Sequence, residues 1–221
     1  MRNPVWDQEI GDNVAKLLFE TNSYLVDFER QRKDWYKWKS GIVAPCYCNC
    51  RYLNRSYSAY QACADYLGTI IRIKFPDVQL IVGLASAGVV WSSRIATNLG
   101  LPMAFVRGEP KFYGVGRLVE GNPQRGSRVV IVDDLCGSGE TILKAIKALE
   151  QEYEIKTEGF VTIVNWSFET MWERFKSLKT AVYSLTSYPN ILKVGVKMGH
   201  LTEDQAGMLA EFYKDHQNYV W

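Results

Sequence analysis

The stretch that decides the fold is Arg128-Val129-Val130-Ile131-Val132-Asp133-Asp134-Leu135-Cys136-Gly137-Ser138-Gly139-Glu140-Thr141. Its first five residues are a short apolar, β-branched run, the signature of a strand buried on both faces of a parallel sheet. That strand delivers two carboxylates, Asp133 and Asp134, to its C-terminal edge, where open α/β sheets bind ligands. The loop Gly137-Ser138-Gly139 then opens a helix near Thr141. Its backbone N–H groups, the helix N-terminus and the hydroxyls of Ser138 and Thr141 make a phosphate cradle. Two carboxylates beside a phosphate site suit a sugar with vicinal hydroxyls, so the pattern points to a ribose 5-phosphate.

Working outward, Gln79–Gly83, Met103–Val106, Val161–Val164 and Thr180–Tyr183 read as further strands. Helical spacing recurs over 88–99, closed by Gly100, over 141–151 and over 169–175. Strands alternating with helices predict an α/β fold, a mainly parallel sheet with helices on both faces. Residues 12–28 and 55–74 predict two amphipathic helices, the first interrupted near Thr21-Asn22-Ser23. Thr202-x-x-Gln205 is a capping-box pattern that starts a C-terminal helix. The expected organisation is a single domain over 1–221, with an N-terminal hood at 1–75, an α/β core at 76–187 and C-terminal helices at 188–221.

The 221 residues, 47% hydrophobic and 23% charged, have globular composition. A net charge of +2 gives no electrostatic case for nucleic acid or a membrane surface. The cationic and aromatic run Arg30–Lys39 is diluted by Asp34. The longest apolar stretch, near 80–91, is far short of the ~20 residues of a spanning helix, and the N-terminus lacks an apolar signal region. Five cysteines, an odd number, fit a reducing cytoplasm better than a disulfide framework. Cys46, Cys48 and Cys50 alternate as packing residues would, without the spacing of a metal site. Other nucleotide motifs fit worse. Gly83–Gly88 has Walker-like glycine spacing with Val89 and Val90 where Lys and Ser/Thr are needed, and Gly114-x-Gly116 lacks the third glycine of a dinucleotide fingerprint.

The segment 128–141 resembles the motif with which type I phosphoribosyltransferases bind phosphoribosyl diphosphate (PRPP), although Gly137 stands where Thr is usual. Three more segments narrow the resemblance. Arg107-Gly108-Glu109-Pro110-Lys111-Phe112-Tyr113-Gly114, ending in Leu118–Gly121, resembles the mobile catalytic loop of orotate phosphoribosyltransferases. Trp38-Lys39-Ser40-Gly41, followed by Pro45-Cys46-Tyr47-Cys48-Asn49 and Arg51, is similar to their N-terminal signature, and Ser184–Leu192 with 199–213 to their C-terminal helices.

The resemblance implies transfer of phosphoribose from PRPP to orotate, giving orotidine 5′-monophosphate and diphosphate in pyrimidine synthesis. It implies Lys111, Asp133 and Asp134 as catalytic residues. PRPP is expected on Lys39, Arg107, Lys111, Asp133, Asp134, Gly137, Ser138, Gly139, Glu140 and Thr141. The base is expected against Tyr47, Cys48 and Trp166. Mg²⁺ is expected to arrive mainly on the PRPP diphosphate, with no metal site built from the protein alone. A homodimer is implied, in which loop 107–117 completes the neighbouring site. Cys136, near a helix N-terminus, stands where a thiol pKa is often lowered. Asn165 and Trp166 occupy the place where the family carries Asp and an orotate-binding Arg. Another ring base, or a non-catalytic PRPP sensor, therefore stays open.

Overall fold

The fold was obtained as a computed structural model. It describes the chain except residues 1–3, 30, 39–40, 111–116, 167, 179, 216–218 and 220–221. Six strands form the central sheet: β5 (Leu80–Leu84), β6 (Met103–Val106), β7 (Val119–Glu120), β8 (Arg128–Cys136), β9 (Lys156–Asn165) and β10 (Ala181–Ser187). Their spatial order is β10-β9-β8-β5-β6-β7. All adjacent pairs are parallel except β6 with β7. The expected fold class is the one observed.

Helices cover both faces. α1 (Gln8–Glu20), α2 (Tyr57–Lys74), α3 (Ala87–Leu99) and α6 (Tyr188–Lys197) share one apolar core, centred on residues such as Leu67, Ile71, Trp91, Val130 and Val132. α4 (Glu140–Tyr153) and α5 (Glu169–Leu178) build the other, with Ile131, Leu149, Phe160 and Met171. α7 (Glu203–Lys214) adds Leu209 and Phe212 to the first. The β5 side chains are buried throughout, which is why the strand reads as an unbroken apolar run. Caps set the ends as the sequence suggested. Gly100 closes α3 in the left-handed region at φ 67°, Ser56 accepts from the Ala59 amide at the start of α2, and Thr202 with Gln205 forms a reciprocal capping box on α7.

The chain runs outward from β5 to β6 and then returns to β8 on the other side of β5. The point where strand order reverses therefore lies between β5 and β8, so β8, which carries the acids, borders it. β8 carries its ladder through Cys136, further than the apolar run alone implied. Leu135 pairs with Val164 and Cys136 with Asn165.

Several expectations change at the N-terminal end. The helix expected over 12–28 starts earlier, because Asp7 caps it through the Ile10 amide at 2.9 Å. It stops at Glu20, and Asn22 then adopts φ 54°. Tyr24–Val26 is a strand (β1), antiparallel to β4 (Cys46–Cys48). Helical periodicity there yields to tertiary pairing, as short local preferences often do. Within the stretch expected as a loop after Arg107, the two-residue β7 pairs with β6, too short to leave a pattern.

Candidate functional site

Beyond the C-terminal ends of β8 and β9 lies a cleft with a volume of about 1110 Å³. This is room for a ring base and a phosphorylated sugar together. Its floor is Asp133 and the loop Gly137-Ser138-Gly139, followed by Glu140 and Thr141 at the start of α4. Tyr47 and Cys48 of β4 form one wall and Trp166 another. Nine of the thirteen residues singled out from the sequence thus meet in one cleft. The Asp133 and Asp134 pair is only half in it. Asp134 does not line the cleft, and interacts instead with Arg51 and Cys50 of the 3-10 turn Cys50–Arg55. Arg107 also stands outside, its guanidinium 3.7 Å from Glu120 of β7. Lys39 and Lys111 lie outside the described residues.

The sheet register explains why Trp166 and the glycine loop meet. β8 and β9 end side by side, and the Trp166 amide donates to the Cys136 carbonyl at 2.8 Å. The residue after β9 is therefore tied to the last residue of β8, next to the glycine loop. Trp166 is packed by Trp38 at 4.5 Å and by Tyr188 at 4.3 Å between ring centroids. Trp38 is fixed in turn by its indole N–H, which donates to the Cys46 carbonyl at 2.9 Å. Phe212 and Tyr219 reach the same cleft from the C-terminal end. Sequence reasoning missed Trp38, Phe212 and Tyr219, because convergence from distant segments leaves no local spacing to read.

Burial acts against the charged form of both carboxyls. Burial pushes Asp133 well above the ordinary value of 3.8, and the adjacent Asp134 adds to the rise. Asp134 is raised too, by burial, with Arg51 opposing. Asp133 Oδ1 accepts from the Asp134 amide at 2.9 Å, which fixes the side chain's direction. Behind it lies Gly88 of α3, where an added Cβ would come within 2.5 Å of the Val132 carbonyl oxygen and 3.2 Å of Asp133 Oδ1. The small residue at position 88 thus has a packing reason. It lets α3 press against the strand that carries the acids.

The thiols differ from one expectation. Cys136 is buried at the end of β8 and its pKa is raised rather than lowered, chiefly by burial and then by the Asp133 charge. The Gly139 amide opposes this only in part. Burial likewise pushes Cys46 and Cys63 up to about 12. Among the described residues no three His, Cys, Asp or Glu side chains converge as a metal site. No described helix is long and apolar enough to cross a membrane.

Comparison with known proteins agrees with this geometry. Residues 53–165 match the family described as the phosphoribosyl transferase domain. An orotate phosphoribosyltransferase of Bacillus cereus is 33% identical over 209 residues, spanning 94% of this chain and 97% of the relative. The crystal structure of orotate phosphoribosyltransferase from Aeropyrum pernix superposes with a TM-score of 0.71 at 26% identity, covering 85% of this chain and 99% of that one. Leishmania donovani UMP synthase shares the fold, with a TM-score of 0.75 at 21% identity over 92% of this chain and 42% of that one. A carboxylate and a glycine loop at the C-terminal edge of the central sheet, in a chain similar to these proteins over nearly its whole length, place it in the orotate phosphoribosyltransferase family.

Proposed function

We propose that this chain transfers phosphoribose from PRPP to orotate, releasing diphosphate and forming orotidine 5′-monophosphate. The observation that carries the reading is the convergence of Asp133, the loop 137–141 and the Tyr47, Cys48 and Trp166 walls on one cleft. Such a cleft holds a phosphate at one end, a sugar in the middle and a ring base at the other.

Displacement at C1 of the ribose proceeds with bond breaking ahead of bond making, so positive charge develops on the sugar ring, as in glycoside hydrolysis. Asp133 accepts hydrogen bonds from the sugar hydroxyls and provides a negative surround for that charge, with Asp134 behind it. Gly137, Ser138, Gly139, Glu140 and Thr141 cradle the 5′-phosphate with amides and hydroxyls. Lys39, Arg107 and Lys111 neutralise the departing diphosphate, a role carried over from the family resemblance. The donor set fits Mg²⁺ held largely by substrate, since that ion commonly takes one or two carboxylates plus phosphates and not an all-protein cage. When bound it would neutralise leaving-group charge beside Asp133 and Asp134. Arg107 does not line the cleft of its own chain, which favours a homodimer whose loop 107–117 completes the neighbouring site. Free thiols throughout suit the cytoplasm.

The test is diphosphate release from PRPP and Mg²⁺ with a panel of bases. Orotate-dependent release is expected, strongly reduced in Lys111→Ala. Tight PRPP binding without turnover on any base would replace the enzyme by a sensor. Release with another base and none with orotate would favour a second reading, transfer to a different ring base in the same cleft.

A further inference from the structure

The helix α5 carries no functional motif in the sequence, yet it holds the end of β8 and the glycine loop at three successive points. Met171 Sδ lies 3.4 Å from Cys136 Sγ. Arg174 Nη1 donates to the Ser138 carbonyl at 2.7 Å. A Cβ added at Gly139, which has φ +78°, would meet the Phe175 ring at 2.7 Å, so the ring lies flush against that residue. Residues 171, 174 and 175 occupy one face of a helix. Their contacts follow the loop in order, from 136 to 138 to 139.

Arg174 differs from its two apolar neighbours because it also borders the cleft. Among the described cleft-lining residues the cations are Lys144 and Arg174. Lys144 lies 3.1 Å from Glu140 in a solvent-exposed pair, whereas Arg174 is tied to the loop itself. A phosphoryl group brings about −1.5 to −2 charges at neutral pH, into a cleft that already holds Asp133 and Glu140. Loop amides supply only partial charges.

We propose that Arg174 is a positioning residue for the 5′-phosphate: it pins the Ser138 peptide, and so the shape of the cradle, while placing a full positive charge beside the phosphoryl end of the substrate. A bidentate guanidinium suits this double duty better than an ammonium, having several donors in a rigid fork. The inference rests on the reading of PRPP as substrate.

Calorimetry and steady-state kinetics on the full chain test it, with Arg174→Gln, Arg174→Lys and, as control, Lys176→Gln on the same helix. Arg174→Gln should weaken PRPP and inorganic phosphate about tenfold or more, the scale of one lost charge-assisted hydrogen bond. The base KM should stay within about twofold, and kcat should fall much less than PRPP affinity. Arg174→Lys should be intermediate and Lys176→Gln unchanged. PRPP affinity in Arg174→Gln within about twofold of wild type overturns the proposal. A loss spread evenly over base KM, kcat and PRPP binding marks a merely structural role and also overturns it. Failure of the wild-type chain to bind PRPP at all would remove the substrate reading itself, and this inference with it.

Discussion

Replacing Gly88 by alanine tests the idea that α3 is pressed against β8 in order to hold Asp133. Two effects oppose each other. Alanine is favoured over glycine in a helix by about 1 kcal/mol, less at the second residue of α3, where Gly88 sits. Against this, the new Cβ would lie 2.5 Å from the Val132 carbonyl oxygen. Ordinary carbon–oxygen contacts begin near 3.3 Å, so the helix must retreat by about 0.8 Å. The oxygen belongs to the backbone of a central strand, paired with β5 and β9, and has little freedom to move aside. Overpacking of this kind costs about 1–3 kcal/mol, which exceeds the propensity gain. Net of the propensity gain, about 0.5–2.5 kcal/mol remains, so for a chain of this size the melting temperature should fall by about 1 to 10 °C. Asp133 shares that backbone, and a displacement approaching 1 Å at a reacting site can cost up to about a hundredfold, so PRPP affinity should fall about tenfold or more. Denaturant unfolding and calorimetry with PRPP and Mg²⁺ read the two effects. Gly207→Ala is the control, since Gly207 is exposed in α7 with nothing within 4 Å of the new Cβ. It should stabilise slightly and leave binding alone. If Gly88→Ala melts no lower than wild type and binds PRPP equally well, the buttress does not exist.

Two other outcomes follow from the same site. The raised pKa of Asp133 means that its stabilising contribution is present below the ordinary 3.8 and lost as pH rises through the higher native value. Asp133→Asn, which keeps the Oδ1 acceptor for the Asp134 amide, should therefore raise the melting temperature of the ligand-free chain near pH 8 by more than near pH 4, while PRPP affinity falls roughly tenfold or more; a thermal scan with equal shifts at both pH values would contradict the assignment. The five thiols are buried, and burial pushes Cys46 and Cys63 up to about 12, so a colorimetric thiol reagent should find no fast-reacting cysteine in the native protein and all five after denaturation. A fast-reacting Cys136 in the native chain would show its burial to be misjudged.

The core strands and the phosphate loop were legible because each is written locally. Val129–Val132 is an uninterrupted β-branched run, and Gly137–Gly139 stands directly after the acids. The antiparallel β1–β4 pair was not legible. Tyr24 and Leu25 fit the apolar spacing of the preceding helix, and only their partners Cys48 and Tyr47 make them a strand. The aromatic wall was half legible. Trp166 is marked by its place after a strand, whereas Trp38, Phe212 and Tyr219 reach the cleft from segments far away in sequence. The α5 brace shows a third limit. Met171, Arg174 and Phe175 have ordinary helical spacing, and nothing in that spacing says what the face will touch.

The acids and the phosphate loop are held from opposite sides of one strand. α3 presses on β8 at Val132 and Asp133 through Gly88, and α5 grips the residues from Cys136 to Gly139. Neither support relieves the carboxyl pair, which is buried beside itself with Arg51 as its opposing charge. A fold selected for stability alone would gain from an amide at Asp133, since a charge that burial penalises and Arg51 offsets only in part is a cost that a neutral isostere avoids. Keeping the acid makes sense when something else satisfies it. Sugar hydroxyls donate to carboxylates, and a cationic sugar ring is attracted by them more strongly than a neutral one. On the proposed reading, sugar hydroxyls would offset that cost in part and the cationic ring would offset it most at the moment of bond breaking, which is the differential binding that accelerates a reaction.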